Sequence, residues 1–321
     1  MRPEGFVELG RTFTDFNEDA DPEHTAAHNY MLFRLTGKAT DWKQVLKSPC
    51  VVVLAEAGSG KTWELLAQAT RVHEAGGVSF FVRLENLARA SLEECLQPDD
   101  RLSLAQWRAG TGEATFFLDA VDESKLSTTH AVEAALRSYI AGVGAGNRRR
   151  LRTVISSRIT GWRAKEDRAA VKRALDLPEG DVRVAAPTDE DAEDNPDGNR
   201  QDTVPAIRVV TMDALSPEQV GVLAQARLQA GWDAFVQEIE EHDVWTFARR
   251  PQDVGRLADY WAATGTFGNL TDLRNSRCGP SPWLGSACCG RHLRQVVLYR
   301  AGERAGRDCT GSKRLTQSRV G

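Results

Sequence analysis

The residues best suited to chemistry form one loop. The apolar run Val51-Val52-Val53-Leu54 reads as a buried strand. It passes directly into Ala55-Glu56-Ala57-Gly58-Ser59-Gly60-Lys61-Thr62, which opens a helix. Small residues at Ala57, Gly58, Ser59 and Gly60 let backbone N–H groups close around phosphate oxygens, and the helix N-terminus adds partial positive charge. Lys61 can reach the β and γ phosphates, and Thr62 can ligate Mg²⁺. The pattern usually begins with Gly, and here Ala55 stands in that place. A glycine turn that merely caps a helix would account for the glycines, but not for Lys-Thr at that offset after a strand.

Two further strand ends carry polar groups. Thr115–Glu123 is an apolar run closing on Asp119, Asp122 and Glu123. The carboxyl end of a parallel strand is where ligands sit in open α/β sheets. Asp119 can share the Mg²⁺ carried by Thr62. Asp122 and Glu123, just beyond, can orient or deprotonate an attacking water. Thr153-Val154-Ile155-Ser156-Ser157-Arg158 is again strand-like and ends in an arginine able to report on a γ phosphate.

The elements that must position these groups alternate between strand and helix. A short helix with Trp42, Val45 and Leu46 at i, i+3, i+4 precedes strand one at 50–55. The helix after the loop runs through Leu65, Leu66 and Ala69 to Gly76-Gly77. Val78–Leu84 is strand two, helical pieces fall near 91–97 and 103–109, and strand three carries Asp119. A helix over 130–141 ends at glycines 142, 144 and 146. Arg148-Arg149-Arg150 reads as a solvated lip before strand four, and Ala206–Thr211 is strand five. Ser216, Pro217 and Gln219 have the types expected at N-cap, N1 and N3 of a helix. Helices then continue to about 230, across 232–241 and from Pro251 to Ala263, with Trp245, Phe247, Leu257 and Trp261 expected in their core. This pattern gives an α/β fold: a mainly parallel five-stranded sheet in a three-layer sandwich, followed by a small helical subdomain.

Ala55–Thr62, Leu118–Glu123 and Val154–Arg158 together resemble the nucleotide site of the NACHT NTPases, which belong to the STAND class of signal-transducing P-loop ATPases. Leu118-Asp119-Ala120-Val121-Asp122-Glu123 is the most specific part. Phe247–Val254 resembles the segment whose proline, here Pro251, contacts the adenine side of the nucleotide. The resemblance spans roughly 40–270. It implies strand order 5-1-4-3-2, ATP or ADP with Mg²⁺ as ligands, slow hydrolysis, and a helical lid whose rotation changes oligomerisation, as in bacterial defence or regulatory receptors.

The expected organisation is an extension at 1–39, the P-loop NTPase region at 40–213 with an acidic loop insertion at 176–203, a helical lid at 214–270, and a tail at 274–321. Thr188–Asp194 is too acidic to bury apolar surface and reads as a surface loop rather than a metal site. His24 and His28 have i, i+4 spacing but no acidic third ligand in register, so a surface helix is the expectation. Formal net charge is −4. From Arg274 onward, however, ten Lys or Arg stand against Glu303 and Asp308. That is a formal +8, which leaves −12 for the remainder. Cys278, Cys288, Cys289 and Cys309 also lie there, whereas only Cys50 and Cys95 fall in the first 270 residues, an arrangement that argues against a disulfide framework.

The tail's excess of Arg, Gly, Ser and Cys reads as out-of-frame or disordered sequence. A nucleic-acid-binding tail, or a zinc site from Cys278, Cys288, Cys289 and His292, are other readings. With no sensor repeat and too short an N-terminal extension for most effectors, the chain is expected to be a truncated switch core. No apolar stretch nears the ~18 residues of a membrane span and no signal peptide begins at Met1, so a cytoplasmic protein is expected. The expected partners are further copies of the chain on activation and an effector or sensor of unknown kind. An AAA+ remodelling ATPase and a non-hydrolysing nucleotide-bound scaffold stay open as alternatives. A GTPase is disfavoured because no Asn-Lys-x-Asp motif follows strand four.

Overall fold

The computed structural model describes residues 5–16, 40–120, 129–183, 203–228 and 230–267. Its first strand, β1 (Phe13–Asp15), comes from the region expected to be only a polar extension. The one-turn helix α1 (Trp42–Val45) follows, with Trp42 and Val45 buried as their spacing predicted and Asp41 capping it through the Gln44 N–H at 2.9 Å. Next come β2 (Cys50–Leu54), α2 (Lys61–Glu74) and β3 (Val78–Arg83). Helices α3 (Leu84–Leu87), α4 (Leu92–Cys95) and α5 (Pro98–Ala109) lead to β4 (Ala114–Asp119). The chain continues through α6 (Thr129–Val143), β5 (Leu151–Ser157) and α7 (Ala164–Leu175). The short strands β6 (Asp181–Arg183) and β7 (Thr203–Pro205) precede β8 (Ile207–Met212). The last helices among the described residues are α8 (Pro217–Leu228), α9 (Trp232–Glu241) and α10 (Pro251–Thr264).

The main sheet has six strands in the order β1-β8-β2-β5-β4-β3. Without β1 this is the 5-1-4-3-2 order, all parallel; β1 adds an antiparallel edge strand with Phe13 opposite Met212. All five residues of β2 and all six of β4 are buried, as strands covered on both faces require. One face packs under α3 to α7, with Phe116, Leu136 and Tyr139 at its centre. The other packs under α1 and α2, where Phe13 meets the Trp42 ring edge-on at 4.6 Å between centroids.

Local signals explain several boundaries. Ser91 and Glu94 form a reciprocal capping box on α4. Pro98 at N1 lets α5 run unbroken to Gly110, longer than the helical piece expected near 103–109. Ser216 and Gln219 exchange side-chain and backbone hydrogen bonds at 3.0 and 3.2 Å, the predicted start of α8. Arg150 is no solvated lip. It donates to the carbonyls of Gly112 and Trp107 and lies 5.1 Å from the Trp107 ring centroid, which fixes the turn before β4. α7 was not anticipated, although Ala170, Val171, Ala174 and Leu175 make a buried stripe along it.

The helices after β8 share a separate core of Leu215, Val220, Phe235, Ile239, Val254 and Leu257, against which Trp245 and Trp261 pack. Phe247 departs from expectation: it is 57% exposed. Leu9 also packs on this core, so the N-terminal segment touches the helical block as well as the sheet. β6, within the 176–203 insertion, pairs antiparallel with β7, which starts at the insertion's end, as a two-stranded ribbon. Thr188–Asp194, His24, His28 and the 274–321 tail with Cys278, Cys288, Cys289 and His292 lie outside the described residues.

β1 makes a quantitative prediction. Phe13→Ala opens a cavity against Trp42, and chemical denaturation should show a loss of about 3 kcal/mol. A loss under about 1 kcal/mol would mean that β1 is not part of the sheet in solution.

Candidate functional site

The loop between β2 and α2 is shaped by two glycines. Gly58 and Gly60 have φ of 78° and 87°, the left-handed region that strains any other side chain. Among the described residues only Asp176 and Asp243 are non-glycines at positive φ, so Ala55 sits in ordinary backbone where the pattern usually has Gly. Its N–H donates to the Ser157 carbonyl at 3.1 Å, which continues the β2–β5 pairing into the loop. No side chain caps the N-terminus of α2. Lys61 Nζ curls over the loop and donates to the carbonyls of Ala55 and Glu56 at 2.8 and 3.2 Å. Ser59 Oγ is buried and makes no hydrogen bond.

Thr62 and Asp119 meet as expected: Thr62 Oγ1 donates to Asp119 Oδ2 at 2.8 Å. The other carboxylate oxygen takes Ser156 Oγ at 2.5 Å, and Ser156 Oγ in turn accepts the Ala120 N–H at 3.1 Å. Asp119 is 1% exposed. Burial pushes its carboxyl above the ordinary carboxylate range, against the opposing pull of Ser156, Thr62, Lys61 and Arg83. Arg158 is exposed at the end of β5, between the ends of β2 and β4. Asp122 and Glu123 lie outside the described residues, just past the end of β4.

Pro251 is the first residue of α10, and its Cγ lies 3.6 Å from where a Cβ on Gly60 would stand. Its neighbours do more than the sequence suggested. The Gln252 N–H donates to the Gly58 carbonyl at 3.3 Å, and a Cβ on Gly58 would collide with the Gln252 side chain. Arg250 reaches Glu56 Oε2 at 3.2 Å and Asp253 Oδ2 at 2.5 Å. The first turn of α10 is therefore seated on the phosphate loop.

Sequence reading also missed a brace behind the loop. Arg11, 3% exposed, donates to the Ser59 carbonyl at 3.1 Å and to the Asp213 carbonyl at 2.5 Å. Burial lowers its pKa, while buried Glu64 and half-buried Asp213 hold the charge in place. Gln219 Nε2 donates to the Leu9 and Gly10 carbonyls at 2.9 Å. Residues 9–13 thus join loop, sheet and helical block. Nothing in the polar N-terminal stretch marks Arg11 as buried.

The residues fit a nucleotide with Mg²⁺. A hydroxyl and a carboxylate 2.8 Å apart are hard oxygen donors of the kind Mg²⁺ takes alongside phosphates. The left-handed glycine turn, the uncapped helix and the buried, unpartnered Ser59 hydroxyl suit a bound anion. Strand order and loop together define a P-loop NTPase fold.

No family model and no curated protein matches the sequence. Solved structures with a similar chain trace include the replication initiator DnaA bound to AMPPCP and single-stranded DNA. It has a TM-score of 0.39 and 12% identity over 72% of this chain and 60% of that one. AMPPCP-bound DnaA from Aquifex aeolicus gives 0.39 and 12% over 80% and 67%, and a Walker-type ATPase of Pyrococcus abyssi gives 0.36 and 12% over 82% and 73%. The chain spans about three fifths of the first of these. At such distances the likeness carries no function, which must come from the site itself.

Two outcomes follow from this geometry. The raised Asp119 pKa means the folded chain holds that proton more tightly than the unfolded chain. The group's contribution to stability therefore falls as pH rises from the ordinary carboxylate range through the raised value. Asp119→Asn should remove that slope and melt no lower than the parent at neutral pH, by circular dichroism; a clear drop in melting temperature would contradict the cost assigned to the buried charge. Gly58→Ala should cost about 2 kcal/mol through its positive φ and its collision with Gln252. Adding Gln252→Ala should recover part of that loss in a double-mutant cycle, and strict additivity would mean the two side chains do not meet.

Proposed function

We propose that the chain is an ATP-binding, slowly hydrolysing molecular switch of the NACHT/STAND kind, whose helical block follows the state of the nucleotide. The observation that carries this reading is the seat of α10 on the phosphate loop, through Arg250, Pro251 and Gln252. An ordinary NTPase needs the loop and its acid. Direct contact between loop and helical block gives the nucleotide a mechanical output.

In this reading the loop N–H groups of 57–60 and Lys61 bind the phosphates, and Thr62 with Asp119 holds Mg²⁺. The metal supplies neutralisation of phosphate charge. Ser156 fixes the Asp119 carboxylate. Asp122 and Glu123 orient the attacking water, Arg158 reads the γ phosphate, and Pro251 meets the adenine side. Lys61 must leave the carbonyls of Ala55 and Glu56 to serve phosphate, and Glu56 is also the partner of Arg250. Ligand binding therefore disturbs the contact that seats the block. Homo-oligomerisation on activation, an effector or sensor partner and a cytoplasmic setting belong to the same proposal. Among the described residues no helix is long and apolar enough to cross a membrane.

Lys61→Ala should weaken nucleotide binding by about 3 kcal/mol, or roughly a hundredfold, read by titration calorimetry with ADP. Glu123→Gln should bind ATP normally and stop phosphate release. Equal release rates in Glu123→Gln and the parent would sink the assignment of Glu123. Rapid turnover by a stable ring would move the protein to the remodelling ATPases.

A further inference from the structure

The cations assigned to the phosphates above, Lys61 and Arg158, lie on the β2 and β5 side of Asp119. Another approaches from the opposite flank. Arg83 ends β3, the edge strand, and is in register with Asp119 on β4. In-register residues of neighbouring parallel strands project to the same face, and faces alternate along each strand. Phe117, two residues before Asp119, and Phe81, two before Arg83, both pack in the cluster under α2. Arg83 and Asp119 therefore share the face that carries α2 and Thr62.

The height of Arg83 follows from a separate contact. Ser79 Oγ donates to the Ala69 carbonyl at 2.5 Å, which pins β3 to α2. The strand rises about 13 Å over the four residues from Ser79 to Arg83. α2 runs the other way and covers that distance in about nine residues, back from Ala69 to Gly60. Arg83 thus arrives level with the phosphate loop. It is half-buried and serves as the N-cap residue of α3, so strand and helix both fix its backbone.

A phosphate chain seated in the glycine turn beside β2 and directed to Thr62 and Asp119 presents its terminal group toward β4, one strand from Arg83. We propose that Arg83 is a specificity residue that contacts the terminal phosphate and makes the site prefer a nucleoside triphosphate over the diphosphate. This rests on the nucleotide reading above. Arg offers a planar fork suited to phosphate, and a charge-assisted pair of this kind accounts for about a tenfold preference.

The test is titration calorimetry of the parent, Arg83→Gln and Arg83→Lys, each with Mg²⁺, against AMPPCP and ADP. Arg83→Gln should lose about tenfold for AMPPCP and under about twofold for ADP. Arg83→Lys keeps the charge but not the fork, and its AMPPCP-to-ADP affinity ratio should fall between those of Arg83→Gln and the parent. A ratio equal to the parent's in both variants overturns the inference and leaves nucleotide binding standing. A parent that binds neither ligand overturns both. If Arg83→Gln does not fold, Arg83→Lys decides alone, since a ratio equal to the parent's there overturns the inference.

Discussion

The hydrogen bonds to Asp119 are the interaction on which the site depends. A carboxylate taken almost wholly out of water is costly, and this one is retained by two hydroxyls from different elements, Thr62 on α2 and Ser156 on β5. Those two bonds fix the register of the phosphate-loop helix against two neighbouring strands. They also hold an oxygen donor in place at the sheet's carboxyl end, the end where ligands sit in open α/β sheets. The raised proton affinity of Asp119 records that cost, and positive charge from Lys61 and Arg83 offsets part of it.

Around this centre the loop is touched from two sides. In front, Pro251 and Gln252 of α10 lie against Gly60 and Gly58, where larger residues would collide or strain. Behind, buried Arg11 ties the Ser59 carbonyl to Asp213, the residue that leads from β8 toward the helical block. A loop held by two glycines at positive φ has little freedom to adjust alone. In the proposed reading, a ligand that recruits Lys61 would be felt by the residues on both sides, and both connect to the helices after β8. The proposed switch would thus run from phosphate to helical block without contact between the nucleotide and the block's core.

Much of this was legible because it is local. The strand–loop–helix at Leu54–Thr62, the acidic strand end at Asp119 and the Ser216–Gln219 cap are each written within a few consecutive residues, and each stands where its spacing placed it. The strand order came from family resemblance rather than from periodicity. The unread features are long-range. Arg250 and Glu56 are 194 residues apart in the chain, and Arg208 pairs with Asp15 across 193. β1 is too short to show alternation, and Arg11 has the composition of a solvated tail. Phe247 looks like core by type but faces outward, because a three-residue 3-10 turn does not carry the helical period past it. Arg83 looks like an ordinary residue between a strand and a helix until register puts it opposite Asp119.

The central claim is that occupancy of the loop is coupled to the seat of α10. Hydrogen–deuterium exchange with MgADP and with Mg-AMPPCP, compared over residues 55–62 and 250–258, tests it most directly. The account predicts that protection in both segments changes together between the two ligands. Protection of the loop by either nucleotide, with 250–258 exchanging identically in both, would contradict it.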